Sequence, residues 1–125
     1  MAQILAVAVG GAAGAVLRFT ISHAIDERSA SLLPIGTFAV NLLGCLLLGF
    51  CAEWLVERAG ATARQAVNVG LIGALTTFST FALDALRLLG AGEHRWAGAY
   101  IVASVGLGLA AAYLGMVAGR AAFGP

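Results

Sequence analysis

Three groups of side chains have chemistry to offer in this otherwise apolar sequence. They are the amide of Asn41, the hydroxyls of Thr76, Thr77, Ser79 and Thr80, and the pair Tyr100 and Ser104. Asn41 is the one amide in Gly36-Thr37-Phe38-Ala39-Val40-Asn41-Leu42-Leu43-Gly44-Cys45. An amide both donates and accepts, so it can contact a desolvated ion while holding a neighbouring helix. Holding the helix alone is the plainer role, and the residue type is compatible with both. Thr37, Asn41, Gly44 and Gly49 fall in a loosely common sector of a helix, although the spacing drifts.

The stretch Gly73-Ala74-Leu75-Thr76-Thr77-Phe78-Ser79-Thr80-Phe81 is the most unusual. In a continuous helix its hydroxyls return their hydrogen bonds to the preceding turn. In an interrupted one the freed carbonyls need another partner, and membrane proteins tolerate such breaks where carbonyls coordinate a cation or line a cavity. The residues alone leave both open. Phe78 and Phe81, three apart, share a helical face, as ordinary packing residues also do. Tyr100, Ser104 and Gly108 repeat at four-residue spacing and form either a polar track or a close-packing strip. Arg18 lies one turn beyond Gly10 and Gly14 on a small-residue face. It serves as an anchor to a neighbour or a carboxylate, or snorkels to the interface. Asp84 and Arg87 are spaced to pair, which weakens any reading of Asp84 as a proton carrier.

These residues need helices that cross a membrane. Arg18 is the only charged side chain in 4–25, a run that spans about 33 Å at 1.5 Å per residue. The run 32–52 has no charge, 65–89 is apolar but broken by Gly73 and the hydroxyl cluster, with Asp84 and Arg87 near its end, and 96–119 is uncharged. Polar connections separate them: Asp26 to Ser29, then Glu53, Glu57, Arg58, Gly60 and Arg64, then 91–95. Pro34 sits where a helix can start without losing an internal hydrogen bond. The expectation is an all-α integral membrane protein, one transmembrane domain over 1–125, with four helices at about 3–25, 33–56, 64–89 and 96–120. The start of the chain reads as the first helix itself, since a secretory signal opens on a positive region. β-barrel strands would alternate polar and apolar residues, and these runs do not.

Composition supports the same class. The 125 residues are 61% hydrophobic and 10% charged, with a mean hydropathy of +0.96, whereas soluble domains carry roughly 25% charged residues. Seven arginines, six acids and no lysine give a net charge of +1, so no basic field exists to gather nucleic acid. Cys45 and Cys51 are not at metal-ligand spacing and read as buried thiols. His23 and His94 lie near ends of different helices, and no cluster organises a metal or nucleophile, so the chain is not expected to be an enzyme.

Four crossings put both termini on one side. That side carries Arg58, Arg64 and Arg120, and the other carries Arg28 and Arg95 with Arg18 and Arg87 near helix ends. So even a distribution gives almost no positive-inside bias. Insertion in both orientations, assembled as an antiparallel two-fold dimer, is the simplest reading. A fixed orientation set by one or two charges is the alternative.

The strings Gly36-Thr37-Phe38-Ala39-Val40-Asn41, Gly44-Cys45 and Thr76-Thr77-Phe78-Ser79-Thr80-Phe81, with Arg18-Phe19 closing a Gly-rich first helix, resemble the Fluc (CrcB) family of fluoride channels over essentially the whole chain. The resemblance implies a bacterial inner-membrane, dual-topology homodimer with two antiparallel pores. Fluoride would leave passively and so stay below toxic levels in the cytoplasm. It implies a third helix interrupted within 73–80 and a structural sodium ion on the two-fold axis, held by backbone carbonyls of Gly73 and Thr76 from each subunit. Asn41, Phe78, Phe81, Tyr100 and Ser104 would line the fluoride path. Arg18, Thr37, Thr77, Ser79 and Thr80 would serve the vestibule or the framework. Three positions depart from the family pattern. Ala74 replaces a frequent second glycine, Gly108 offers no hydroxyl where one is expected, and Asp84 stands where Glu is common.

Two other functions fit a small four-helix protein. A proton-coupled exporter of organic cations should hold a carboxylate at membrane depth, and here the only one in the third run, Asp84, lies near its end. A non-transporting membrane scaffold predicts no ion flux.

Overall fold

The computed structural model describes residues 1–123, and within 53–57 the helical backbone alone; the side chains of Glu53 and Glu57 lie outside the described residues. Helix α1 spans Ala2–Asp26 and α2 spans Ile35–Arg58. The third crossing is two helices, α3 over 61–75 and α4 over Phe78–Gly90, and α5 spans His94–Phe123. There are four segments long and apolar enough to cross a bilayer, and no strand among the described residues. The helices begin and end within a few residues of the expected positions. The shifts fall where terminal turns fray or tighten.

Local chemistry sets the connections. Asp26 at the end of α1 reaches forward, and its Oδ1 accepts from the Gly36 N–H at 2.8 Å, satisfying one orphan donor in the first turn of α2. Between α4 and α5, Gly92 takes φ +79°. There the N–H groups of Glu93 and Gly92 donate to the carbonyls of Leu88 and Leu89 at 2.9 and 3.0 Å. This paired closure needs a left-handed residue, which glycine adopts without steric cost.

Close approach between helices organises the bundle. A Cβ on Gly10 would collide with the Ala66 carbonyl, and one on Gly14 with the Leu71 carbonyl. The facing part of α3, Gln65–Ile72, is π-helical. The glycine groove of α1 thus accommodates a locally wider helix. Helices α2 and α5 approach in the same way: Gly49 lies against the Ala112 carbonyl and Gly115 against that of Leu46. They run parallel, as alternate crossings must. Cys45 opposes Gly108 one turn before Gly49 opposes Ala112, and Phe38 meets Tyr100 near the helix starts.

A buried cluster of Ala85, Leu88, Ala97 and Tyr100, flanked by Leu33, Phe38 and Phe81, fixes α4 against α2 and α5. At the other end Arg58 donates to the Phe123 carbonyl at 3.3 Å and lies over its ring. The second connection and the C-terminal end therefore share one side, as four crossings require. Much of the outer surface is apolar, including Val9, Val16, Val102, Leu107 and Leu109. In the bilayer such a surface needs no burial by protein.

Candidate functional site

The break in the third crossing is confined to two residues. Thr76 (φ −88°, ψ 156°) and Thr77 (φ −150°, ψ 110°) are extended, a conformation open to any L-residue. Ala74 lies within α3, so the break requires no second glycine there.

A side chain from another helix holds the extended segment. The Asn41 Oδ1 accepts from the Thr77 N–H at 2.8 Å, and its Nδ2 donates to the Thr77 carbonyl at 3.2 Å. One amide thereby satisfies both backbone groups of a residue that has left the helix, where an unpaired group at membrane depth costs several kcal/mol. The amide has a second N–H, and it lines a cavity of about 270 Å³ with Cys45, Thr76, Thr77, Phe78, Phe81 and Ser104.

Thr77 also starts the next helix. Its Oγ1 accepts from the Thr80 N–H at 3.2 Å and donates to the Thr80 Oγ1 at 2.9 Å, the cap expected of threonine at a helix N-terminus. The Ser79 hydroxyl lies 3.3 Å from the Thr77 Oγ1. Of the four hydroxyls, only that of Thr76 returns to the preceding turn, reaching the carbonyls of Ile72 and Gly73 at 3.3 and 3.5 Å. In a continuous helix the N–H groups of Thr77 and Thr80 would serve the carbonyls of Gly73 and Thr76. Here Asn41 and the Thr77 hydroxyl engage them instead, so neither carbonyl has that N–H, and the Gly73 carbonyl has the Thr76 hydroxyl at 3.5 Å.

Arg18 is tied to this region. Its Nε donates to the Ala74 carbonyl at 3.2 Å, in the last turn of α3. The anchor expected beyond Gly10 and Gly14 is therefore a backbone carbonyl at a helix C-terminus, where a cation is favoured, and not a carboxylate. Thr37 and Asp84 are both buried, and the Thr37 hydroxyl donates to Asp84 Oδ2 at 2.9 Å. Arg87 approaches Asp84 Oδ1 at 3.4 Å, the expected pair.

The rings of Phe78 and Phe81 are 5.5 Å apart, and Phe81 is 5.4 Å from Tyr100. Phe81 is half-buried whereas Phe78 is 79% exposed. The hydroxyls of Tyr100 and Ser104 are buried without hydrogen-bond partners in the chain. The parallel register of α2 and α5 sets Asn41 beside Ser104. The structure thus gathers Asn41, Phe78, Phe81 and Ser104 at one cavity, with Thr76 and Thr77 in its wall. Tyr100 touches Phe81 behind it, and Thr37 pairs with Asp84 outside it.

Sequence reading missed two participants. Asp26 caps α2 across a turn, a contact that only the fold creates. Cys45 lies one turn beyond Asn41 on the same helical face and is half-buried along the cavity, not sealed within packing.

Fold and site together define a small four-helix integral membrane protein with a broken third crossing and a polar-edged cavity at the break. The sequence profile described as "CrcB-like protein, Camphor Resistance (CrcB)" matches residues 5–116, and the chain belongs to this CrcB-like family. Proteins named "Fluoride-specific ion channel FluC" resemble it over nearly their whole length. That of Rhizobium meliloti is 42% identical over 123 residues, covering 97% of this chain and 98% of the relative. That of Allorhizobium ampelinum is 38% identical over 122 residues, 96% and 98%. That of Stutzerimonas stutzeri is 44% identical over 117 residues, 92% and 94%.

Proposed function

We infer that the protein is a fluoride channel of the bacterial inner membrane that lets the ion leave the cytoplasm down its gradient. Membership of a family with full-length relatives named for that activity supports the reading, and one structural observation carries it. At the mid-crossing break, an amide already fixed by two hydrogen bonds keeps a further N–H beside a cavity that Ser104, whose buried hydroxyl has no partner in the chain, also lines. Fixed donors suit a small, strongly hydrated anion, whose stripping in a low-dielectric site costs on the order of tens of kcal/mol unless replaced. Phe78 and Phe81 add ring edges of positive potential, and the Tyr100 hydroxyl extends the donor set along α5. Arg18, Thr37, Thr77, Ser79 and Thr80 hold the framework that presents these groups.

The working unit of this reading is an antiparallel homodimer. Phe78 is 79% exposed on the single chain, and Gly73 and Ser79 are exposed beside it. Polar backbone at membrane depth is tolerated where protein or a cavity covers it. A second copy related by a two-fold axis would cover it and complete the wall of each pore. The even arginine distribution allows the two copies opposite orientations.

A structural sodium ion at the two-fold axis fits the same geometry. The carbonyls of Gly73 and Thr76 lack their helical N–H partners, and a pair from each subunit would offer hard oxygen donors to a hard cation. Such an ion would supply charge between the two breaks, held by the carbonyls of Gly73 and Thr76.

The exporter and scaffold alternatives receive no support from the site, whose mid-crossing face presents donors and no carboxylate among the residues lining the cavity. The test is fluoride efflux from liposomes holding purified protein, with chloride as comparison. Rapid fluoride release with chloride retained is expected. Absence of fluoride flux from folded dimer would overturn the reading.

A further inference from the structure

The donor track along α5 fades at Gly108, which has no side chain to continue from Ser104. The register with α2 places a different group there. A Cβ built on Gly108 would meet the Cys45 Sγ at 3.6 Å, ordinary contact. The thiol thus occupies the position that a side chain at 108 would face. It also lines the cavity shared by Asn41, Phe78, Phe81 and Ser104. Cys45 follows Asn41 by one helical turn on α2, as Gly108 follows Ser104 on α5, so the two helices present successive rungs. Ser104, on the preceding rung, lines the same cavity, and its buried Oγ has no partner in the chain, a hydrogen-bonding capacity left for an acceptor that enters there. Cys45 makes no disulfide, and a thiol is a weak donor able to serve that acceptor.

We propose that Cys45 is a further ion-path residue, whose S–H continues the donor track beyond Ser104 in place of the hydroxyl absent at Gly108. The proposal rests on the fluoride reading. In that arrangement an ion leaving the Asn41–Ser104 rung meets the thiol on α2 instead of a side chain on α5. The track changes helix at this point while the cavity stays continuous. Cys51, seven residues beyond Asn41's neighbour Gly44, is absent from the lining of this cavity and serves as the internal comparison.

The experiment uses the intact dimer in liposomes and reads fluoride efflux. Cys45→Ala should slow efflux about 2- to 10-fold, the factor for loss of one modest hydrogen bond. Adding Gly108→Ser to that variant returns a hydroxyl to the same gap from the opposite helix and should restore most of the rate. Gly108→Ala in the same background separates the donor from packing, because its Cβ also faces the vacated thiol position. A packing role predicts equal rescue by Ala and Ser. The donor role predicts rescue by Ser alone and is overturned if Ala restores the rate as well. Methyl methanethiosulfonate gives a second readout. The thiolate forms a mixed disulfide with the reagent's S-methyl group, with its proton lost to buffer and methanesulfinate released. This added methylthio group should block efflux in the parent and in Cys51→Ala, and leave the residual efflux of Cys45→Ala unchanged. A parental rate in folded Cys45→Ala, or slow efflux that Gly108→Ser does not restore, would overturn the proposal. So would unaltered efflux after mass spectrometry shows Cys45 modified. In each case continued fluoride-selective flux by the parent leaves the channel reading standing.

Discussion

Asn41 is engaged on both sides of its amide, so its replacement does more than remove a donor from the ion path. Asn41→Leu should strip the Thr77 N–H and carbonyl of their partners while keeping a similar volume. Losing a bond to a charged group costs roughly 1.5 to 3 kcal/mol, which at about 1.4 kcal/mol per factor of ten slows flux about 10- to 150-fold. The same variant should also melt at a lower temperature in detergent, because the backbone it leaves unpaired is structural. Efflux at the parental rate from folded Asn41→Leu would remove this residue from the path. Phe81→Ile separates ring electrostatics from wall shape. It should reduce efflux despite keeping the wall apolar, since an aliphatic side chain has no positive edge; unchanged flux would mean a purely steric lining. Arg18→Leu should lower stability by about 1.5 to 3 kcal/mol through loss of the charged donor to Ala74, measured by thermal unfolding in detergent.

The third crossing shows how far a sequence discloses an element. Four hydroxyls beside Gly73 raised the prospect of a break, and the family pattern narrowed it to 73–80. Its location at Thr76 and Thr77, however, depends on Asn41, a residue 36 positions away from Thr77. Nothing local in either string reveals that pairing. The same limit hid the Arg18 contact with Ala74 and the Asp26 cap on α2, which join different helices. By contrast, the Asp84–Arg87 pair was legible because helical periodicity alone brings the two together. The lengths of the crossings were legible for a similar reason, since apolar runs and polar turns mark them directly. The π-helical character of Gln65–Ile72 had no sequence signal; that stretch lies against the α1 glycines, a contact between separate crossings. Substitutions at Thr77 and at two glycines test these elements. Thr77→Ala should cost about 1 kcal/mol as a lost cap, and Thr77→Ser should retain most of it, both read from thermal unfolding. Gly14→Ala should force α1 from α3 and lower the yield of folded protein, whereas Gly60→Ala, with open space at its Cβ, should not.

At the scale of the molecule, nearly all of the chain is membrane-spanning helix, and the described connections are short turns. Orientation therefore rests on a few arginines. A single cysteine introduced at Gly60 in an otherwise cysteine-free chain should be labelled partly from each side of intact cells. Labelling from one side alone, with full protection from the other, would exclude dual insertion.

The amide clamp on Thr77 has a consequence for biogenesis. The partner that holds the break open belongs to the preceding crossing, so the third segment has no reason to be broken while it is alone in lipid. Until α2 docks, the cheapest state for 61–90 is an unbroken helix in which the carbonyls of Gly73 and Thr76 are served internally. The segment should enter the bilayer straight and become interrupted only on assembly. An excised peptide of 61–90 in micelles should accordingly be helical through Thr76 and Thr77. The most distinctive backbone feature of the protein would then arise as a product of folding inside the membrane and not of insertion into it.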